Sequence, residues 1–154
     1  MHLAQFLDPE SIRVGVIANS KRALLHQLAG LAAQRLGLSP DAVNDCLAQR
    51  EKLGSTGFGN GVAIPHGKLA GLTGIYALVA RLADPIDYKA VDGQPVDLVF
   101  LLLSPADAGA EHLKALAAVS RVVRDPATLE KLRGARSRDA LAAVLTGADE
   151  RDAA

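Results

Sequence analysis

His66 stands between Pro65 and Gly67 at the end of a short apolar run, Val62-Ala63-Ile64. A neutral imidazole, with an ordinary pKa of about 6.5, keeps a lone pair on one ring nitrogen and can act as nucleophile, base or metal ligand. Arg50 lies sixteen residues upstream, and Ser55 and Thr56 place two hydroxyls in the stretch between them. A guanidinium, hydroxyl donors and backbone amides freed by glycine are the groups that hold a phosphoryl oxygen. His112 follows Glu111 shortly after Leu103-Ser104-Pro105. If the strand ending at His66 neighbours the strand ending at Leu103, both imidazoles open onto one edge. Bland readings stand beside these: a capped strand-end histidine, a solvated Arg50, turn hydroxyls at Ser55 and Thr56, and an ordinary first-turn His112. His26 and His2 read as structural or solvent-exposed.

The elements around these residues follow from periodicity and caps. Ile12–Val16 reads as a first strand. Asn19 or Ser20 caps a helix with Leu24, Leu25, Leu28, Leu31, Ala32 and Leu36 on one face, stopped at Gly37. Ser39-Pro40-Asp41 starts a second helix that turns Val43, Cys46 and Leu47 inward and runs out near Lys52. Gly54–Gly61 holds four glycines in eight residues and reads as a loop. Pro65 favours an extended Ile64, and Gly67 lets the chain turn away from an uncrowded His66. Ile75–Ala80 and Val96–Leu103 read as strands, the second apolar enough to be covered on both faces. Asp92-Gly93 turns between them. The last third is helical: Glu111–Arg124 with Leu113, Leu116, Ala117 and Val123 on one side, a helix capped by Asp125-Pro126, and a third from Ser137 to Gly147. Residues 148–154 read as a frayed tail. The expectation is an α/β sandwich, a mixed and mostly parallel sheet flanked by helices, with residues 1–154 as one domain.

The composition excludes several classes. The 154 residues carry 17 Lys+Arg against 17 Asp+Glu, a formal net charge of zero, which argues against nucleic acid as a partner. Aromatic residues make up only 3%, too few for a base-stacking platform. The single Cys46 excludes a disulfide framework and a cysteine-built zinc site. No apolar run reaches a membrane span and no secretory signal opens the chain, so the expectation is a cytoplasmic protein without membrane insertion. Phosphate-loop, nucleophile-elbow and His-Glu-x-x-His motifs are lacking. Gly57-Phe58-Gly59 precedes a strand instead of opening a helix, the wrong order for a dinucleotide site.

The run from Arg50 to Lys68, Arg50-Glu51-Lys52-Leu53-Gly54-Ser55-Thr56-Gly57-Phe58-Gly59-Asn60-Gly61-Val62-Ala63-Ile64-Pro65-His66-Gly67-Lys68, resembles the signature of the fructose/mannitol-type IIA components of the phosphoenolpyruvate:sugar phosphotransferase system. Among them it is most similar to the stand-alone nitrogen-regulatory IIA proteins. The likeness spans nearly the whole chain, through Ser20-Lys21-Arg22, Gln94-Pro95-Val96-Asp97-Leu98, Leu103-Ser104-Pro105-Ala106-Asp107 and Glu111-His112-Leu113. It implies a phosphotransferase in which His66 accepts a phosphoryl group from an HPr-like phosphocarrier, with attack by Nε2. It further implies that His112 packs beside His66, that Arg50 steadies the phosphate charge, and that apolar residues around a shallow depression meet the partner. Ser55 and Thr56 are candidate phosphate-binding hydroxyls; no cofactor or metal is expected. Two versions compete: a regulator whose loaded and free forms bind different target proteins, and a sugar-specific component that passes phosphate to a IIB domain. The chain's length without a fused domain favours the first. A metal site on His66 and His112 lacks a clear third ligand, and an interaction module that has lost phosphorylation conflicts with the retained Arg50, His66 and His112.

Overall fold

The computed structural model describes the backbone of residues 1–153 and the side chains of residues 1–147. A six-stranded mixed sheet carries five α-helices. The strands are β1 (Leu7–Val16), β2 (Gly57–Gly59), β3 (Val62–Ala63), β4 (His66–Leu69), β5 (Tyr76–Ile86) and β6 (Val96–Pro105). The helices are α1 (Lys21–Leu36), α2 (Pro40–Lys52), α3 (Ala110–Val123), α4 (Pro126–Gly134) and α5 (Arg138–Ala153). The strand order is β1-β5-β6-β3-β2, and β4 also pairs with β6. The β1–β5, β3–β6 and β4–β6 pairs are parallel, and the β5–β6 and β2–β3 pairs antiparallel.

Strand β6 explains the layering. Leu98, Phe100 and Leu102 join a core with α3, α4 and α5, while Val99, Leu101 and Leu103 join a second core with α1 and α2. Its near-continuous apolar run is thus a period-2 strand with helices over both faces. The caps hold as the side chains dictate: Ser20 accepts from Ala23 N–H, Ser39 from Ala42 N–H and Asp125 from Ala127 N–H, and Gly37 ends α1 in the left-handed region.

Several expectations are corrected. The first strand begins at Leu7, because Leu7 pairs with Ala77 and the ladder resumes at Ile12–Val79 after an irregular Asp8–Ser11 segment. The glycine-rich segment contains a hairpin: Asn60 (φ 57°) and Gly61 (φ 81°) are both left-handed, the two-residue turn that an Asn-Gly pair favours, linking β2 to β3. The strand after it does not finish at His66. It breaks at Ile64-Pro65 and resumes at His66, with both pieces bonded to the same edge of β6. On α3 the inward stripe is His112, Ala115, Ala118, Val119, Val122 and Val123, and Leu113 is 67% exposed. Helix α5 continues to Ala153, beyond the expected stop at Gly147. The expected tail, 148–154, has side chains outside the described residues, as is Ala154 entirely.

Candidate functional site

Pairing with β6 sets His66 opposite Leu102, at an edge of the sheet where the two helical layers meet. Its Nδ1 lies 2.7 Å from the Ile64 carbonyl, and Arg50 Nε donates to its Nε2 at 3.2 Å. A guanidinium only donates, so Nε2 must hold the lone pair and Nδ1 the proton. The tautomer is therefore fixed by its two neighbours. Burial pushes the His66 pKa below its ordinary value and the Arg50 charge adds to this, against the opposing pull of the Ile64 hydrogen bond and, more weakly, of the Glu51 charge. The neutral ring is therefore favoured more than in a free imidazole.

Arg50 comes from the last turn of α2, and its Nη1 donates to the Gly54 carbonyl at 2.8 Å, which aims the Nε–H at His66. His112 comes from the first turn of α3. Its ring centroid is 5.7 Å from that of His66 with the planes tilted by 48°, and its Nδ1 is 2.7 Å from the Ser104 hydroxyl on β6. His112 is buried, and its pKa is lowered by burial, then by His66 and Lys68. With Nδ1 engaged by Ser104, the other ring nitrogen is left for a ligand.

A depression of about 380 Å³ opens beside these groups. Arg50, Ser55, Phe58, Ile64, His66 and Val91 are among its lining residues, with Val91 84% exposed. Leu53, next in the turn after α2, and Leu113, next to His112, are also exposed. Phe58, Ile64, Val91 and Leu116 thus put apolar surface beside the polar centre.

The two loop hydroxyls part company. Ser55 Oγ accepts from Gly57 N–H at 3.1 Å and lines the depression. Thr56 is buried, and its hydroxyl bonds to the Glu51 carboxylate and to the Tyr88 hydroxyl, so it is committed to the loop's support instead of standing free. Gly67 also differs from expectation. The chain runs straight on in β4, and the missing side chain makes room for Cys46: a Cβ there would lie 2.4 Å from Cys46 Sγ. His26 is exposed, as read. Glu51 is the residue that sequence reasoning passed over. It accepts from Thr56 N–H and from Tyr88, and pairs with Lys21 at 2.6 Å. An acidic residue beside Arg50 at the unfavourable, negative end of a helix was the available signal. Among the described residues no group of three or more His, Cys, Asp or Glu is placed to hold a metal ion, and no helix is long and apolar enough to cross a membrane.

Comparison with known proteins agrees with the geometry. Residues 5–147 match the model of the family "Phosphoenolpyruvate-dependent sugar phosphotransferase system, EIIA 2". The chain is 51% identical over 145 residues to a nitrogen regulatory protein of Bradyrhizobium diazoefficiens, covering 94% of this chain and 95% of that one. It is 41% identical to the nitrogen regulatory protein of Escherichia coli K12, covering 95% and 90%. The crystal structure of the nitrogen regulatory protein IIA-Ntr from Neisseria meningitidis superposes with a TM-score of 0.87 at 36% identity, covering 93% of this chain and 98% of that one. The chain belongs to the EIIA 2 family of the phosphoenolpyruvate-dependent sugar phosphotransferase system.

Proposed function

We propose that the protein is a cytoplasmic histidine phosphocarrier that takes a phosphoryl group from the phosphohistidine of an HPr-like carrier onto His66 Nε2. Loaded and free forms would then act on different regulatory targets. The observation that carries this reading is the fixed tautomer, with Nδ1–H on the Ile64 carbonyl and the Nε2 lone pair facing Arg50 at the depression.

The transfer balances without a metal or cofactor. The Nε2 lone pair attacks phosphorus in line as the donor's N–P bond breaks. The donor ring, protonated on its other nitrogen, leaves with the electron pair as neutral imidazole. His66 keeps its Nδ1 proton on Ile64 and gains the PO₃ group. Such a loose transition state asks the protein for placement and charge stabilisation above all. Arg50 Nε–H passes from the ring nitrogen to a phosphoryl oxygen, and His112 supplies a second donor. Ser55 is the loop hydroxyl near enough to assist; Thr56 supports the loop. The apolar rim of Leu53, Phe58, Val91 and Leu113 suits a transient partner surface. Similarity to proteins named for nitrogen regulation favours regulation over sugar uptake.

The test is to mix the protein with phosphoenolpyruvate, the general phosphotransferase enzyme and an HPr-type carrier, and to look for an acid-labile phosphate adduct. His66→Ala is expected to abolish it; equal labelling of variant and wild type would overturn the reading. Pull-downs with loaded and free protein separate the two roles, since capture of a IIB domain would assign sugar transport instead.

A further inference from the structure

We propose that Glu51 is a positioning residue for His66, setting which ring nitrogen carries the proton through a chain of three hydrogen bonds. The inference deepens the phosphocarrier reading and rests on it for its consequence in transfer. Thr56 N–H donates to Glu51 Oε2 at 3.1 Å, Ile64 N–H donates to the Thr56 carbonyl at 2.9 Å, and His66 Nδ1–H donates to the Ile64 carbonyl at 2.7 Å. Each link anchors one side of the residue, Thr56 and then Ile64, whose own carbonyl is the next acceptor. Moving the Glu51 carboxylate therefore moves the carbonyl that selects the His66 tautomer.

Glu51 is an expensive residue to keep where it is. Its side chain is only 8% exposed, and it sits in the last turn of α2, where the helix's carbonyl end disfavours an anion. Burial raises its pKa, but the Lys21 ammonium and the two Thr56 donors outweigh that and hold the carboxyl below its ordinary value. Its contacts tie the loop to the start of α1 and to the Tyr88 segment. Thr56 binds it through both N–H and hydroxyl, and the fully buried Tyr88 donates at 3.0 Å. Lys21 spans the group, pairing with Glu51 while its Nζ lies 4.4 Å from the centre of the Tyr88 ring.

Lys21 also answers an electrostatic objection. An unpaired carboxylate this near His66 would repel an incoming phosphoryl dianion. The ion pair leaves the carboxylate free to accept hydrogen bonds while placing a cation beside it to offset its charge. The N-terminus of α1, the C-terminus of α2, the glycine loop and the Tyr88 segment thus converge on one carboxylate behind the reacting histidine.

The experiment uses full-length protein with ¹⁵N-labelled histidine, observed without phosphate at pH 8. The wild type is expected to show His66 as the Nδ1–H tautomer. Glu51→Gln, which keeps one acceptor and loses the charge, is expected to move the ring measurably toward the Nε2–H form. It should also slow phosphoryl acceptance at least ten-fold while the carrier's KM stays within two-fold, because the apolar rim is untouched. Lys21→Met should shift the tautomer in the same direction by less, and Glu51→Asp should recover part of the loss. Folding is judged from amide signals of α4 and α5. A wild-type tautomer in folded Glu51→Gln overturns the proposal whatever happens to the rate. If that variant does not fold, an unshifted tautomer in Lys21→Met overturns it instead. Should the wild type accept no phosphoryl group from any carrier, the phosphocarrier reading fails, and the tautomer measurement still decides the role of Glu51.

Discussion

With its Nε–H already given to His66 Nε2, the Arg50 side chain lies against the ring nitrogen that we propose as the phosphoryl acceptor. In that reading the same donor would serve both states, first holding the lone pair and then meeting the phosphoryl oxygens. His112 plays a different part. Its ring is held by Ser104 and packs against His66 from α3, so in the proposed transfer it would act on the phosphoryl oxygens, during transfer and after it, and not on the attacking nitrogen. His112→Ala is expected to leave the adduct formed but to change its hydrolysis or onward-transfer rate by roughly a hundred-fold, the lower end of the range for losing one charge-stabilising donor. Unchanged rates in that variant would contradict the assignment. The two rings also fix a pH expectation. Burial disfavours the imidazolium, so His66 is expected to take up its proton at a lower pH than a free ring. An NMR titration of the unloaded protein should place the His66 midpoint below 6.5; a midpoint at or above it would mean that Arg50 and burial do not govern the ring.

Strand β4 depends on a close approach that its sequence hides. Gly67 lies directly over Cys46 of α2, whose thiol reaches the Lys68 carbonyl at 3.3 Å. Gly67→Ala is expected to cost about 1–3 kcal/mol, the range for forcing a methyl group into packed space. Cys46→Ala in the same chain should return most of that, a coupling readable from a thermal or urea double-mutant cycle. Additive losses would refute the contact. The period-2 run of β6, the caps at Ser20, Ser39 and Asp125, and the apolar face of α1 were legible, because each is a local pattern with one dominant cause. The break and resumption around Pro65 was not, since it arises from a neighbour far along the chain: β6 supplies partners for both pieces. Leu113 misled for a similar reason. A leucine on a helix suggests the core, but here α3 turns small residues and His112 inward to lie close against the sheet, and Leu113 is left outside. The Asn60-Gly61 hairpin was readable from its residue pair alone, yet the surrounding glycines obscured it. At the site, the trio Arg50, His66 and His112 was visible as residue types, while Glu51 was masked because its partners Lys21, Thr56 and Tyr88 come from three separate segments.

For the whole molecule, two independent cores pinned to opposite faces of β6 make a rigid body with its polar centre at one rim. The exposed apolar side chains around that rim contribute little to folding, and that separation is testable. Leu113→Asp is expected to leave stability within about 0.5 kcal/mol, as for most surface changes, while raising the KM for the carrier roughly ten-fold. A loss of stability without a change in KM would place Leu113 in the fold instead of the contact. The interrupted strand carries a last consequence. Because the segments on both sides of Pro65 are bonded to β6, the backbone that carries His66 is pinned from both directions. If the ring takes a phosphoryl group as proposed, a partner would meet nearly the same outline at a changed voltage, as at the face of an electrode.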